Sequence, residues 1–145
     1  DGSLSKLKDN SVDVVFSFHV LEHIPRSNVL KVIKDIERIL KPGGVSIHQI
    51  GINDHLINFD NSVSPMNYLR YSDAVWKRYF QNEVQYFNRI LMIDWIDIFS
   101  RAGLTLNEKI PEYINIETLQ VHPQYKKYST EDLSCINLTI VHQKD

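Results

Sequence analysis

Two groups of side chains in this sequence have the types and spacing that chemistry needs. The first is His19-Val20-Leu21-Glu22-His23, which matches the H-x-x-E-H pattern of inverted zinc peptidases. In that pattern two imidazoles four residues apart on a helix bind zinc, and the glutamate acts as general base. The surroundings argue against it here. An apolar run leads directly into His19, and Pro25 drives Ile24 out of helical geometry, which leaves room for about one turn. A zinc site also needs a third ligand downstream, so no metal is expected. The second group is His48, Asp54 and His55. His19 and His55 are the candidates for a base that takes a proton near neutral pH, because imidazole titrates closest to it. His48 reads instead as a strand residue facing a helix.

The elements that must position these groups follow from periodicity. Val12 to Phe18 (VDVVFSF) is a nearly unbroken apolar run, the pattern of a strand buried on both faces. Val29, Ile33, Ile36 and Leu40 then recur on one helical face, with Lys31, Lys34, Asp35, Arg38 and Lys41 opposite. Ser27 or Asn28 can cap the start of this helix, and Pro42-Gly43-Gly44 stops its end. Val45 to Ile50 reads as the next strand. Strand, helix and strand within residues 12–50 form a βαβ unit with parallel strands. Residues 51–71 lack a clean period and read as a long connection. Ser72-Asp73 starts a short helix, Asn88 caps another that Gly103 ends, and residues 104–110 and 136–141 are strands. Trp76, Phe80, Trp95 and Phe99 read as helix-packing residues. A short helix over residues 129–133 precedes the last strand.

Composition narrows the function classes. The chain has 145 residues, 16 Lys plus Arg against 18 Asp plus Glu, a net charge of −2 and a pI near 6.3. That balance gives no electrostatic claim on nucleic acid, and no apolar run reaches the ~20 residues of a membrane helix. The single cysteine, Cys135, excludes an internal disulfide and fits a reducing, cytoplasmic setting. The five glycines, at positions 2, 43, 44, 51 and 103, cannot build a phosphate-cradling G-x-G-x-x-G or Walker loop.

Taken together, Asp1-Gly2, the strand Asp13-Val14-Val15-Phe16-Ser17, the segment His19-Val20-Leu21-Glu22-His23-Ile24 and the turn Leu40-Lys41-Pro42-Gly43-Gly44 resemble class I S-adenosylmethionine-dependent methyltransferases. The resemblance implies an α/β fold, a Rossmann-like three-layer sandwich present in part. Its visible strands would be the fourth, fifth, seventh and sixth of a seven-stranded sheet in spatial order, with the last pair antiparallel. It further implies S-adenosylmethionine as cofactor. Asp1 would accept from the adenine amine, as an acceptor-only carboxylate suits a donor, with the Gly2 amide facing the ring. Ser17 and His19 would lie beside the methionine part and the transferable methyl. Ligands of open α/β sheets do bind at the carboxyl ends of strands.

The family's glycine-rich loop and ribose-binding acid have no counterpart in this sequence. The chain therefore reads as the C-terminal portion of a methyltransferase domain over residues 1–145, inactive alone and poorly stable at the open edge of its first strand. Residues 51–87 would be a substrate-side insertion, whose aromatics and Arg70 could line an acceptor pocket. A faint likeness to methyltransferases of bacterial surface-glycan synthesis points to a small-molecule or glycan-type acceptor. The alternatives are a non-catalytic methyltransferase-like binding module and the zinc peptidase.

Overall fold

The structure is a computed structural model that describes residues 4–82 and 86–145. Its centre is the expected βαβ unit: β1 (Val12–Phe18), α1 (Arg26–Ile39) and β2 (Leu40–Gly51), with β1 and β2 parallel. After a connection containing two 3-10 turns and α2 (Asp73–Tyr79) come α3 (Met92–Arg101), β3 (Leu104–Tyr113), α4 (Thr130–Ser134) and β4 (Cys135–Lys144). The four strands lie in the order β1-β2-β4-β3, and β4 runs antiparallel to both of its neighbours. This is the partial Rossmann-like sheet that the resemblance implied. Because β4 opposes both β2 and β3, the strands β1, β2 and β3 all end at the same edge of the sheet.

Successive crossovers move in one direction, from β1 to β2 and then past β4 to β3. Right-handed connections that advance the same way place their helices on the same face. The apolar stripe of α1 (Val29, Ile33, Ile36) and that of α3 (Trp95, Phe99) are accordingly buried together against Ile50, Leu138 and Ile140. α4 begins with a capping box between Ser129 and Asp132, whose reciprocal bonds satisfy two orphan donors of the first turn.

Three local expectations are corrected. β1 is not buried on both faces: Phe16 is 77% and Phe18 66% exposed, because the helices cover only the face carrying Val15 and Ser17. The start of α1 is set by Pro25 at the N-cap position, and neither Ser27 nor Asn28 caps it. Proline's fixed φ and missing N–H suit a helix entrance, so no polar cap is required. Asn88 does not cap α3, which begins after Leu91. Its side chain instead donates to the carbonyls of Leu21 (2.8 Å) and Ile24 (3.1 Å) and accepts from the Ile90 amide.

Candidate functional site at the carboxyl edge of the sheet

β1 delivers the chain to His19, which sits in the left-handed region with φ of 51° and hands its amide to the Gln49 carbonyl at 2.9 Å. The turn this forces swings Leu21–His23, a single 3-10 turn, back beneath the end of β2. Glu22 is thereby buried, 1% exposed. One of its oxygens, Oε1, accepts from the Gly51 amide at 3.2 Å and from Nδ1 of His19 at 3.0 Å. An oxygen already accepting from an amide can only accept from the ring, so Nδ1 carries a proton and Nε2 of a neutral His19 keeps its lone pair. His19 is part-exposed, so this nitrogen can meet a solute.

Gly51 makes the arrangement possible. A Cβ there would lie 3.0 Å from both Glu22 Oε1 and His19 Nδ1, closer than real contacts allow. Asn88 supplies the second brace. Its backbone amide donates to the Glu22 carbonyl at 2.7 Å, while its side chain holds the Leu21 and Ile24 carbonyls. The turn is thus pinned from the α3 side as well as from β2.

Next to this pair lie the other polar groups of the edge. Asp54 is buried and opens the first 3-10 turn by accepting from the Leu56 amide at 3.0 Å; burial raises its pKa. His55 is half-buried with its ring 5.1 Å from that of His23 and 4.8 Å from that of Phe87. Its pKa is lowered first by desolvation and then by the neighbouring His23. Ser17 faces the helix-covered side, where its hydroxyl and Nδ1 of His48 are 2.7 Å apart. Burial pushes His48 down to about 4, in keeping with a strand residue facing α3.

The sequence-predicted site residues thus separate. His19 and His55 come to the same edge. Ser17 and His48 lie one step back, beside a groove of about 490 Å³ between β1 and α1. Asp1 and Gly2 fall outside the described residues. Among the aromatics expected to line an acceptor pocket, Tyr68 is fully buried and meets Trp76 and Phe87 edge-to-face, whereas Trp76, Phe80 and Phe87 line a small pocket with Asp54 and His55. Trp76, Trp95 and Phe99 are buried as expected. Glu22 and Gly51 were missed as a unit, since they lie 29 positions apart in sequence until β1 and β2 pair. The H-x-x-E-H geometry is not that of a zinc helix. His19 turns to Glu22, Nδ1 of His23 donates to the Tyr86 carbonyl at 2.9 Å, and no metal-holding cluster of His, Cys, Asp or Glu occurs among the described residues.

Among the described residues, β1 pairs only with β2. No helix among the described residues is long and apolar enough to cross a membrane.

Comparison with known proteins agrees with this geometry. The family model described as "Methyltransferase domain" matches residues 1–48. Sterol 4-C-methyltransferase strm-1 of Caenorhabditis elegans is 32% identical over 80 residues, which is 54% of this chain and 23% of that protein. The chain therefore spans about a quarter of the length of this curated relative. Among solved structures, a SAM-dependent methyltransferase from Methanosarcina mazei superposes with a TM-score of 0.59 at 13% identity, covering 96% of this chain and 62% of the other. An S-adenosylmethionine-dependent methyltransferase from Mesorhizobium loti gives 0.59 at 13%, covering 99% and 68%. At such identities these two establish the shared fold. The family model over residues 1–48 and the strand order β1-β2-β4-β3 make the chain similar to S-adenosylmethionine-dependent methyltransferases.

Proposed function

We propose that this chain contributes the acceptor-side half of a methyl-transfer site, acting on a small-molecule or glycan-type acceptor, with His19 as the base. The observation that carries the reading is the His19–Glu22–Gly51 arrangement at the carboxyl end of β1. Bound S-adenosylmethionine supplies an electrophilic methyl on a sulfonium, displaced in line with loss of S-adenosylhomocysteine. Nε2 of His19 takes the proton from the attacking hydroxyl or amine, while Glu22 holds the ring so that this nitrogen points outward. Positioning and proton removal together account for the catalytic help such a displacement needs. Ser17 and the backbone around it would hold the methionine part of the cofactor, and Asp1 and Gly2 its adenine. His55 serves as the second polar wall of the acceptor side.

The reading is tested in the full-length protein by calorimetric titration with S-adenosylmethionine and by transfer of labelled methyl. His19→Gln should slow transfer by ~10²–10⁴-fold, the usual worth of a positioned base, and by more than any change in cofactor affinity. Asp1→Ala should weaken cofactor binding. Equal binding by the Asp1 variant removes that residue from the site, and unchanged transfer by the His19 variant removes the base. Absence of cofactor binding by the unaltered protein supports the non-catalytic alternative.

A further inference from the structure

A second cavity, of about 420 Å³, opens between residues 62–70 and residues 115–120. Its volume lies within the ~300–1,000 Å³ of small-molecule sites. The two segments that form it leave the carboxyl ends of β2 and β3, so it sits on the same edge of the sheet as His19 and His55. They are also held to the fold and to each other. The Asp54 amide donates to the Pro65 carbonyl at 2.6 Å, and the His122 amide donates to the Leu69 carbonyl at 2.8 Å. Beneath them Tyr68 and Leu69 are fully buried. The cavity is therefore walled by anchored backbone.

Its lining is unlike that of the groove beside β1. Ser62, Ser64, Arg70, Asn115, Thr118 and Gln120 contribute hydroxyl, amide and guanidinium groups, and Leu119 is the lone apolar lining residue among those described. Asn115 donates to the Glu117 carboxylate, the Ser62 hydroxyl donates to the Asp60 carboxylate at 2.6 Å, and the Ser64 hydroxyl accepts from the Met66 amide. Arg70, Thr118 and Gln120 have no hydrogen-bond or ion-pair partner among the described residues. The Arg70 guanidinium has no ion-pair partner among the described residues and lies in one lining with the neutral Thr118 and Gln120, while the Asp60 and Glu117 carboxylates are each hydrogen-bonded to a lining residue, Ser62 and Asn115. A carboxylate or phosphate is taken bidentately by the arginine, and hydroxyls on the same molecule exchange hydrogen bonds with the neutral groups.

We infer that this cavity is the acceptor subsite and that it takes a polyhydroxylated ligand bearing a negative charge, such as a sugar acid or sugar phosphate. The inference rests on the methyl-transfer reading for the term "acceptor", whereas the binding itself does not. It is tested on the full chain by amide chemical-shift titration, with glucuronate, glucose 6-phosphate, glucose and cholesterol as probes. Glucuronate or glucose 6-phosphate should shift the amides of Ser62, Thr118 and Gln120 saturably, and the arm that responds identifies carboxylate or phosphate as the preferred charge. Glucose should bind at least ~10-fold more weakly, and Arg70→Gln should weaken the charged probe by a similar factor, as expected for loss of a charge-assisted pair. Arg70 is exposed, so this variant keeps the fold. Equal binding of glucose, an unaltered affinity in Arg70→Gln, saturable binding of cholesterol alone, or no saturable binding of any probe would each overturn the inference. Cofactor titration run separately keeps the two readings apart. A protein that binds S-adenosylmethionine but no charged sugar loses only the subsite, and the reverse result loses only the methyl transfer.

Discussion

On the face of the sheet packed by α1 and α3, the strands present Ser46, His48, Ile50, Leu138, Ile140 and His142, all essentially inaccessible. On the opposite face, paired positions one residue away present Val14, Phe16, Phe18, Ile47 and Ile110, all at least 38% exposed. The covered face buries imidazoles, and the open face displays phenyl rings. Hydrophobicity alone would have sorted these residues the other way round. The helices' position decides burial here, and it is fixed by two same-handed crossovers advancing in one direction. Among the described residues, burial in this sheet follows which face α1 and α3 cover and not side-chain type.

Four experiments break or sharpen that contrast, the largest first. Phe99→Ala on the covered side removes a ring stacked on His142 at 4.3 Å and lying 5.4 Å from His48. Urea unfolding should register a loss of ~3–5 kcal/mol, as for other fully buried phenylalanines.

Acidification comes next. His48 and His142 are both pushed down to about 4 by burial, His48 also by its neighbour His142. Above the ordinary histidine pKa of about 6.5 both are neutral, folded or unfolded. Between there and about 4 the unfolded chain binds protons that the folded one refuses. Stability therefore falls as pH drops through this window, by up to roughly 3 kcal/mol per imidazole, and the loss levels off below it. Urea midpoints at pH 7.5, 5.5 and 4.5 measure it. His142→Phe, which keeps the stack on Phe99 and removes two ring nitrogens without partners, should flatten the profile.

Gly51→Ala follows. Its Cβ would press on Glu22 Oε1 and His19 Nδ1, costing ~1–3 kcal/mol as overpacking does. Nitrogen chemical shifts of the His19 ring should show loss of the Nδ1 proton's fixed acceptor. Smallest of all, Phe16→Ser on the open face should change stability of the full chain by within ~0.5 kcal/mol. A loss there comparable to that of Phe99→Ala would mean that the open face is covered in solution.

Much of the architecture was legible in the sequence where signals are local. The 3.6-residue spacing of Val29, Ile33 and Ile36, the Ser72 cap, whose side chain accepts from the Val75 amide, and the Gly103 stop, with φ of 93°, each depend on neighbours a few residues away. Strand order was legible only through the family resemblance, since pairing of β4 between β2 and β3 leaves no local trace. The exposure of Phe16 and Phe18 was illegible because an unbroken apolar run encodes two greasy faces, whether or not both are covered. Asn88 was misread because its partners, Leu21 and Ile24, are more than sixty residues distant. A shorter separation, 29 positions, hid Glu22. Its carboxylate belongs to the site only after β2 brings the Gly51 amide to it.

β4, the last strand in sequence among the described residues, is an interior strand. Until residues 135–144 have been synthesised, β3 has no neighbour and β2 has an open side. A growing chain can assemble β1, α1 and β2 early, because those contacts are short in sequence. It must then wait for residues 135–144 before β2 and β3 are joined, which raises contact order and slows folding. Removal of these ten residues would not shave an edge. It would leave a parallel pair and a detached strand, with the polar cavity of Arg70 losing the wall that β3 carries.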